Sequence, residues 1–157
     1  VAFTIHRNLP PPFAPRGRWS GMWSHFHHGA DIGVRGIGKT LEQAFEEAAV
    51  ALTAVIAEPS EIRCLETCEV RCEAPDRELL LADWLNALIY EMATRHMLFC
   101  RFKVELQGSQ LLGSACGEVV DIARHRPAIE VKGATYTELA VHEDRPGEWR
   151  AQCVVDV

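Results

Sequence analysis

The chain has 157 residues, 48% of them hydrophobic and 24% charged, which is enough for one domain with a real core and too little for two. Its apolar runs are only a few residues long, which excludes a membrane-spanning helix. Net charge is −6, from 22 acidic against 16 basic residues; with no basic stripe to bind nucleic acid, any work near RNA is expected to pass through a partner or a metal ion.

Residues 1–20 hold Pro10-Pro11-Pro12, Pro15 and Gly17 among few aliphatics. Consecutive prolines favour an extended polyproline conformation and cannot sit inside a helix or a central strand. This stretch is expected to be a flexible tail, with the domain proper spanning 21–157. The N-terminus has neither the basic start nor the long apolar core of a secretory signal, so the expected location is cytoplasmic.

From Met22 to His28 the chain is dense in aromatics and histidines, a first strand running into a turn at Asp31. Ile32 to Ile37 reads as a second strand. Thr40 is an N-cap and Gln43 completes a capping box. Leu41, Ala44, Phe45, Ala48, Ala49, Leu52, Val55 and Ile56 then follow at helical spacing until Pro59. Residues 61–73 alternate as a strand. Asp76 can cap a second helix whose interior, Leu79 through Met92, is apolar on more than one side, as expected of a helix covered on two faces. Polar Asp83, Asn86 and Tyr90 interrupt that surface and are expected to tie the helix to adjacent loops.

Beyond His96 the spans Phe99–Leu106, Leu111–Ala115, Gly117–Asp121, Ile129–Thr137, Leu139–His142 and Trp149–Val155 alternate, with turn signals at Gly108, Gly113, Pro127 and Arg145-Pro146-Gly147. The whole reads as a single α+β domain in which two long helices pack between or against antiparallel-rich β-sheets.

The six cysteines include no C-x-x-C pair. Cys64, Cys68 and Cys72 fall four apart, so in a strand they share one face with Ile62 and Val70. They are expected to be small buried hydrophobes, reduced. His25 and His27 would share a strand face, a spacing that can chelate zinc, but no matching third and fourth ligands are visible. Partly exposed polar histidines are the expected reading.

Gly33-Val-Arg-Gly-Ile-Gly38-Lys39-Thr40 fits the phosphate-loop pattern G-x-x-x-x-G-K-[ST], in which backbone amides wrap phosphates and the lysine reaches the outer ones. A nucleotide hydrolase built on Gly33–Thr40 is therefore the alternative functional reading. Against it stand the lack of a buried apolar strand before the motif and of βα alternation after it. Asp31 is either a turn residue, through side-chain bonds to nearby amides, or a cation ligand. Asp156 would lie on the strand face opposite Cys153, Val155 and Val157. Should Asp31 and Asp156 converge with backbone oxygens, the set would suit Ca²⁺, Mg²⁺ or Mn²⁺. No arrangement of nucleophile and base is compelling, so the chain is not expected to be an enzyme by itself.

Several blocks together resemble the archease family, accessory factors of the RtcB-type tRNA-splicing RNA ligase. They are His28-Gly29-Ala30-Asp31-Ile32-Gly33, Gly38-Lys39-Thr40-Leu41-Glu42-Gln43-Ala44-Phe45-Glu46, Asp83-Trp84-Leu85-Asn86 with Tyr90, Gly117-Glu118 with Asp121 and His125, Val131-Lys132 with Thr135-Tyr136, and the closing Val155-Asp156-Val157. The resemblance runs from about Trp23 to Val157. It departs from the family at Gly29, usually threonine, and at Thr137, where many members have histidine.

The resemblance implies helices packed against sheets and no catalysis by the chain itself. It implies a partner, the RNA ligase, whose guanylylation and multiple turnover in tRNA splicing and RNA repair archeases promote, with RNA contacted only through that ligase. It also implies a divalent metal site, calcium among the candidates, mapping onto Asp31, Asp156 and Val157, and a functional surface that includes His28 and Lys132.

Overall fold

The helix expected after Thr40 forms as α1, Leu41–Ile56, in the computed structural model of the chain, which describes residues 3–7 and 21–157. Thr40 Oγ1 accepts the Gln43 N–H at 3.1 Å, and Gln43 Oε1 accepts the Lys39 N–H at 2.6 Å. Two of the amide donors at this helix start are thus satisfied by side chains, as in a capping box shifted back by one residue. The second long helix, α2, covers Arg77–Arg95; Asp76 Oδ1 caps it through the Leu79 N–H at 2.8 Å, and His96, at φ 54, closes it.

Two antiparallel sheets enclose these helices. The first has the order β1 (Phe3–Arg7), β4 (Glu66–Glu73), β6 (Gln110–Val119) and β5 (Met97–Gln107). The second has the order β2 (Met22–His28), β3 (Asp31–Gly38), β9 (Glu148–Asp156) and β7 (Gly133–Ala134), with β8 (Ala140–Arg145) also paired to β9. A short α3 spans Ile122–His125.

Glycine lets the layers approach. A Cβ on Gly36 would stand 2.2 Å from the Ala44 O and Ala48 N of α1, so β3 meets that helix backbone to backbone. On the other sheet, a Cβ on Gly113 would reach 2.3 Å from the Trp84 ring. Trp84 packs edge-on to Phe102, with centroids 6.1 Å apart, and donates Nε1–H to Phe45 O on α1 at 3.1 Å. One indole thereby joins both helices to the first sheet, its polar edge satisfied as burial demands. Thr53 Oγ1 of α1 donates to Phe99 O of β5 at 2.8 Å. Phe45, Leu52, Leu81, Leu85, Leu88 and Phe99 are fully buried around this junction, which explains why α2 is apolar on two sides.

Four expectations are corrected. Gly113 ends no strand: 110–119 is one strand, β6, because the glycine makes room for Trp84 rather than a turn. The alternation at 129–137 yields only the two-residue β7: ladder pairing with β9 is confined to Gly133 and Ala134, and the flanking Lys132, Thr135 and Thr137 reach β9 by isolated backbone bonds. Residues 3–7, within the segment expected to be a tail, pair with β4 as β1; the prolines between 10 and 15 lie outside the described residues.

The cysteines are the fourth. Cys68 and Cys72 are buried beside Val70 as expected, but Cys64 precedes β4 and forms a disulfide with Cys116, their Cα atoms 5.0 Å apart. β4 begins only at Glu66, after the 3-10 turn at Pro59–Glu61 and an irregular stretch, so the period-two pattern does not extend back to Cys64. Cys116 is paired in register with Thr67, which puts it on the sheet face opposite Cys68.

Candidate metal site

The β2–β3 hairpin turns on Gly29-Ala30, with Gly29 at φ 59. A two-residue loop with glycine first is a turn whose twist suits antiparallel strands. No atom lies within 4 Å of a Cβ placed on Gly29, so its need for glycine is one of backbone conformation alone. The turn sets His28 and Asp31 opposite one another as the first pair of the ladder.

On its other edge β3 pairs with β9, Ile32 opposite Val155 and Gly33 opposite Val154. One further step of that register sets Asp31 opposite Asp156. Directly opposed side chains in an antiparallel pair sit about 5 Å apart at Cβ, where like charges repel. Asp31 Oδ1 also accepts the Val157 N–H at 3.4 Å. Asp156 is exposed and paired with Gly133 of β7, and its carbonyl accepts the Lys132 N–H at 2.8 Å. Val155, Cys153 and Ala151 point inward and are fully buried, so alternation turns Asp156 outward together with Asp31 and His28. The end of the second sheet thus carries a row, His28, Asp31, Asp156 and Gly133, flanked by Val157 and Lys132.

Two opposed carboxylates, joined by the main-chain oxygen of Val157, would make a hard, oxygen-only donor set. It suits Ca²⁺, Mg²⁺ or Mn²⁺, and a cation between the carboxylates would cancel their repulsion. Among the described residues no group of three or more His, Cys, Asp and Glu side chains gathers as a metal centre.

The other sequence-level candidates fall elsewhere. Gly33–Gly38 lies inside β3, its backbone engaged with β2 and β9, so the phosphate-loop reading of Gly33–Thr40 is overturned. The glycines of that motif serve packing: the Phe26 ring covers Gly33, and Gly36 meets α1. His25 donates Nε2–H to Ala51 O at 2.7 Å and lies 5.2 Å from the Trp23 ring, a structural role.

Glu118 and His125 form a buried polar centre of their own. Glu118 accepts the Arg63 N–H at 2.6 Å, the Arg124 guanidinium, and His125 Nε2–H at 3.1 Å. The Asp121 N–H donates to His125 Nδ1 at 2.8 Å, which fixes the tautomer. Burial alone would raise the Glu118 carboxyl, but the bonds from Arg124, Arg63 and His125 outweigh it and hold the group at about 2. This centre pins α3 to the segment before β4.

Asn86 was legible only as a polar break in an apolar helix. Its side chain binds both main-chain groups of Ala134, Oδ1 accepting the N–H at 2.9 Å and Nδ2 donating to the carbonyl at 3.2 Å.

The comparisons agree with one another. Residues 23–157 match the model of the Archease protein family. The archease of Thermococcus gammatolerans is 38% identical over 139 residues, covering 86% of this chain and 98% of that protein. The archease of Pyrococcus furiosus is 39% identical over 140 residues, covering 87% and 99%. The solution structure of protein 1598 from Methanobacterium thermoautotrophicum superposes with a TM-score of 0.74 at 29% identity, over 86% of this chain and 98% of that one. An archease crystal structure from Thermotoga maritima, described as a possible chaperone, shares the fold at 19% identity with a TM-score of 0.53, covering 97% and 100%. With a family model matched over residues 23–157 and relatives aligned over nearly their whole length, this chain belongs to the archease family.

Proposed function

We propose that this protein is a non-catalytic activator of an RtcB-type RNA ligase, acting in tRNA splicing and RNA repair. In this reading it promotes the ligase's guanylylation and repeated turnover. The single observation that carries the reading is the meeting of Asp31 with the end of β9, where Val157 N–H reaches Asp31 Oδ1 at 3.4 Å. Asp31, Asp156 and the main-chain oxygen of Val157 would hold the divalent cation. When bound, such a cation supplies charge neutralisation for nucleotide phosphates.

The chain's own residues would do the rest. Asp31 and Asp156 present an acidic end on a rigid sheet, while His28 and the exposed Lys132 flank it as contacts for the ligase. A net charge of −6 favours encounter with a basic, RNA-handling protein, and RNA itself would be met only through that protein.

Multiple-turnover RNA ligation by the cognate ligase, with and without this protein, tests the proposal. Stimulation is expected from the parent chain and is expected to be lost with Asp31→Ala and with Asp156→Ala. Stimulation that survives both substitutions would remove the cation from the reading. A chaperone role, as suggested for the Thermotoga relative, would instead give partner binding that ignores metal.

A further inference from the structure

We propose that Asn86 is a positioning residue for the Asp31–Asp156 end, holding Lys132 and the main chain of Asp156 through β7. The inference rests on the cation reading above and concerns how the fold keeps that site in shape. Asn86 lies on α2 between Leu85, which is fully buried, and Ala87, so the core sets its backbone. Its carboxamide pairs with the N–H and the carbonyl of Ala134 at 2.9 and 3.2 Å. A side-chain amide thereby stands where a neighbouring strand would stand, on the edge of β7 that β9 does not use.

The opposite edge of β7 carries the site. Gly133 pairs with Asp156, Ala134 with Val155, and the Lys132 N–H binds Asp156 O at 2.8 Å. β7 is only two residues long, and the residues before it, 127–132, have no regular structure. Two-residue pairing has little cooperativity of its own, so the helix-borne amide supplies the second support. Support therefore runs from the buried helix through the Asn86–Ala134 hydrogen bonds, along the β7 backbone, and through the Lys132 N–H to the carbonyl of Asp156. Partners standing behind metal ligands in this way commonly set affinity without touching the ion.

Titration of the full chain with calcium by calorimetry, beside amide hydrogen exchange, tests this. In Asn86→Ala, calcium affinity is expected to fall on the order of tenfold, with faster exchange at Lys132 and Ala134 and an almost unchanged melting temperature without calcium. Asn86→Leu, which keeps bulk but no hydrogen bonds, is expected to behave like Asn86→Ala. Faster exchange with unchanged calcium affinity in both variants would overturn the proposal and leave Asn86 a purely structural contact. Calcium binding by the parent that Asp31→Ala abolishes would uphold the site in that same result. Failure of the parent chain to bind calcium, magnesium or manganese would overturn the cation reading, and this inference with it.

Discussion

The Val157 N–H donates to Asp31 Oδ1 across 3.4 Å, joining residues 126 apart in sequence at the end of the β3–β9 ladder. That bond orients one carboxylate, while the ladder register aims a second, Asp156, at it. Asp31→Asn keeps an acceptor for Val157 and removes the charge. The variant is expected to match the parent's stability without metal to within about 0.5 kcal/mol. Calcium at a hundredfold excess over its dissociation constant should stabilise the parent by about 2.7 kcal/mol and the variant by almost nothing. Melting curves with and without calcium check this, and an equal rise in both proteins would take Asp31 out of the site.

The contact of Gly36 with α1 predicts a large cost for a single methyl group. In Gly36→Ala the new Cβ would meet the Ala44 O and Ala48 N at 2.2 Å, and neither backbone atom can turn aside. The expected loss is about 3 kcal/mol, at the upper end for overpacking. Gly29→Ala meets no atom, so it should cost only the left-handed backbone penalty of about 1–2 kcal/mol. Denaturant unfolding of the two variants separates these mechanisms, and equal losses would contradict the packing account.

What was legible in the sequence follows the physics of each element. The long helices announced themselves through the Thr40 and Asp76 caps and sustained apolar spacing, signals that are local to the chain. Asp31 and Asp156 could be named from residue chemistry, but their opposition depends on a register fixed by residues far away in sequence. Gly113 looked like a turn because its partner, Trp84, belongs to another element. Lys39 and Thr40 matched a phosphate-binding pattern, although the three glycines before them exist for Phe26 and for α1. Short patterns cannot tell a glycine that a ligand needs from one that a neighbouring helix needs.

Half-buried Glu46 and buried Glu118 give stability opposite responses to pH. Burial pushes Glu46 up to about 7; the nearby Glu47 and Glu42 add to this, and only the Val104 N–H, at 2.8 Å, and Lys103 oppose it. The folded chain therefore holds this proton more tightly than the unfolded chain does. The associated stability is fully present below the ordinary carboxyl value of 4.5 and is lost as pH rises through about 7. Glu46→Gln should consequently gain on the parent between pH 5 and pH 8. Glu118 runs the other way: its bonds to Arg124, Arg63 and His125 stabilise the fold above 4.5 and are lost as pH falls through about 2. Glu118→Gln should flatten the acid limb of the profile. Denaturant midpoints measured across pH check both, and a Glu46→Gln advantage that shrinks toward pH 8 would contradict the assignment.

The Cys64–Cys116 bridge closes a segment with a sequence separation of 52. Chain-entropy arguments assign such a loop about 4 kcal/mol of stability, through restriction of the unfolded state. Reductant, or Cys64→Ser, should therefore lower the unfolding free energy by up to about 4 kcal/mol, while the Asp31 end, built on the other sheet, keeps its calcium affinity. Cys100 sits beside the bridge, its Sγ 3.5 Å from Cys116 O, but burial pushes its thiol up and keeps it protonated. Because thiolate is the attacking species in exchange, Cys100 should not displace Cys64. Mass spectrometry of digests from non-reduced protein is expected to find the 64–116 link and no link to Cys100. Stability indifferent to reductant would show that the bridge contributes nothing to the fold, and a 100–116 peptide would show that burial does not protect it.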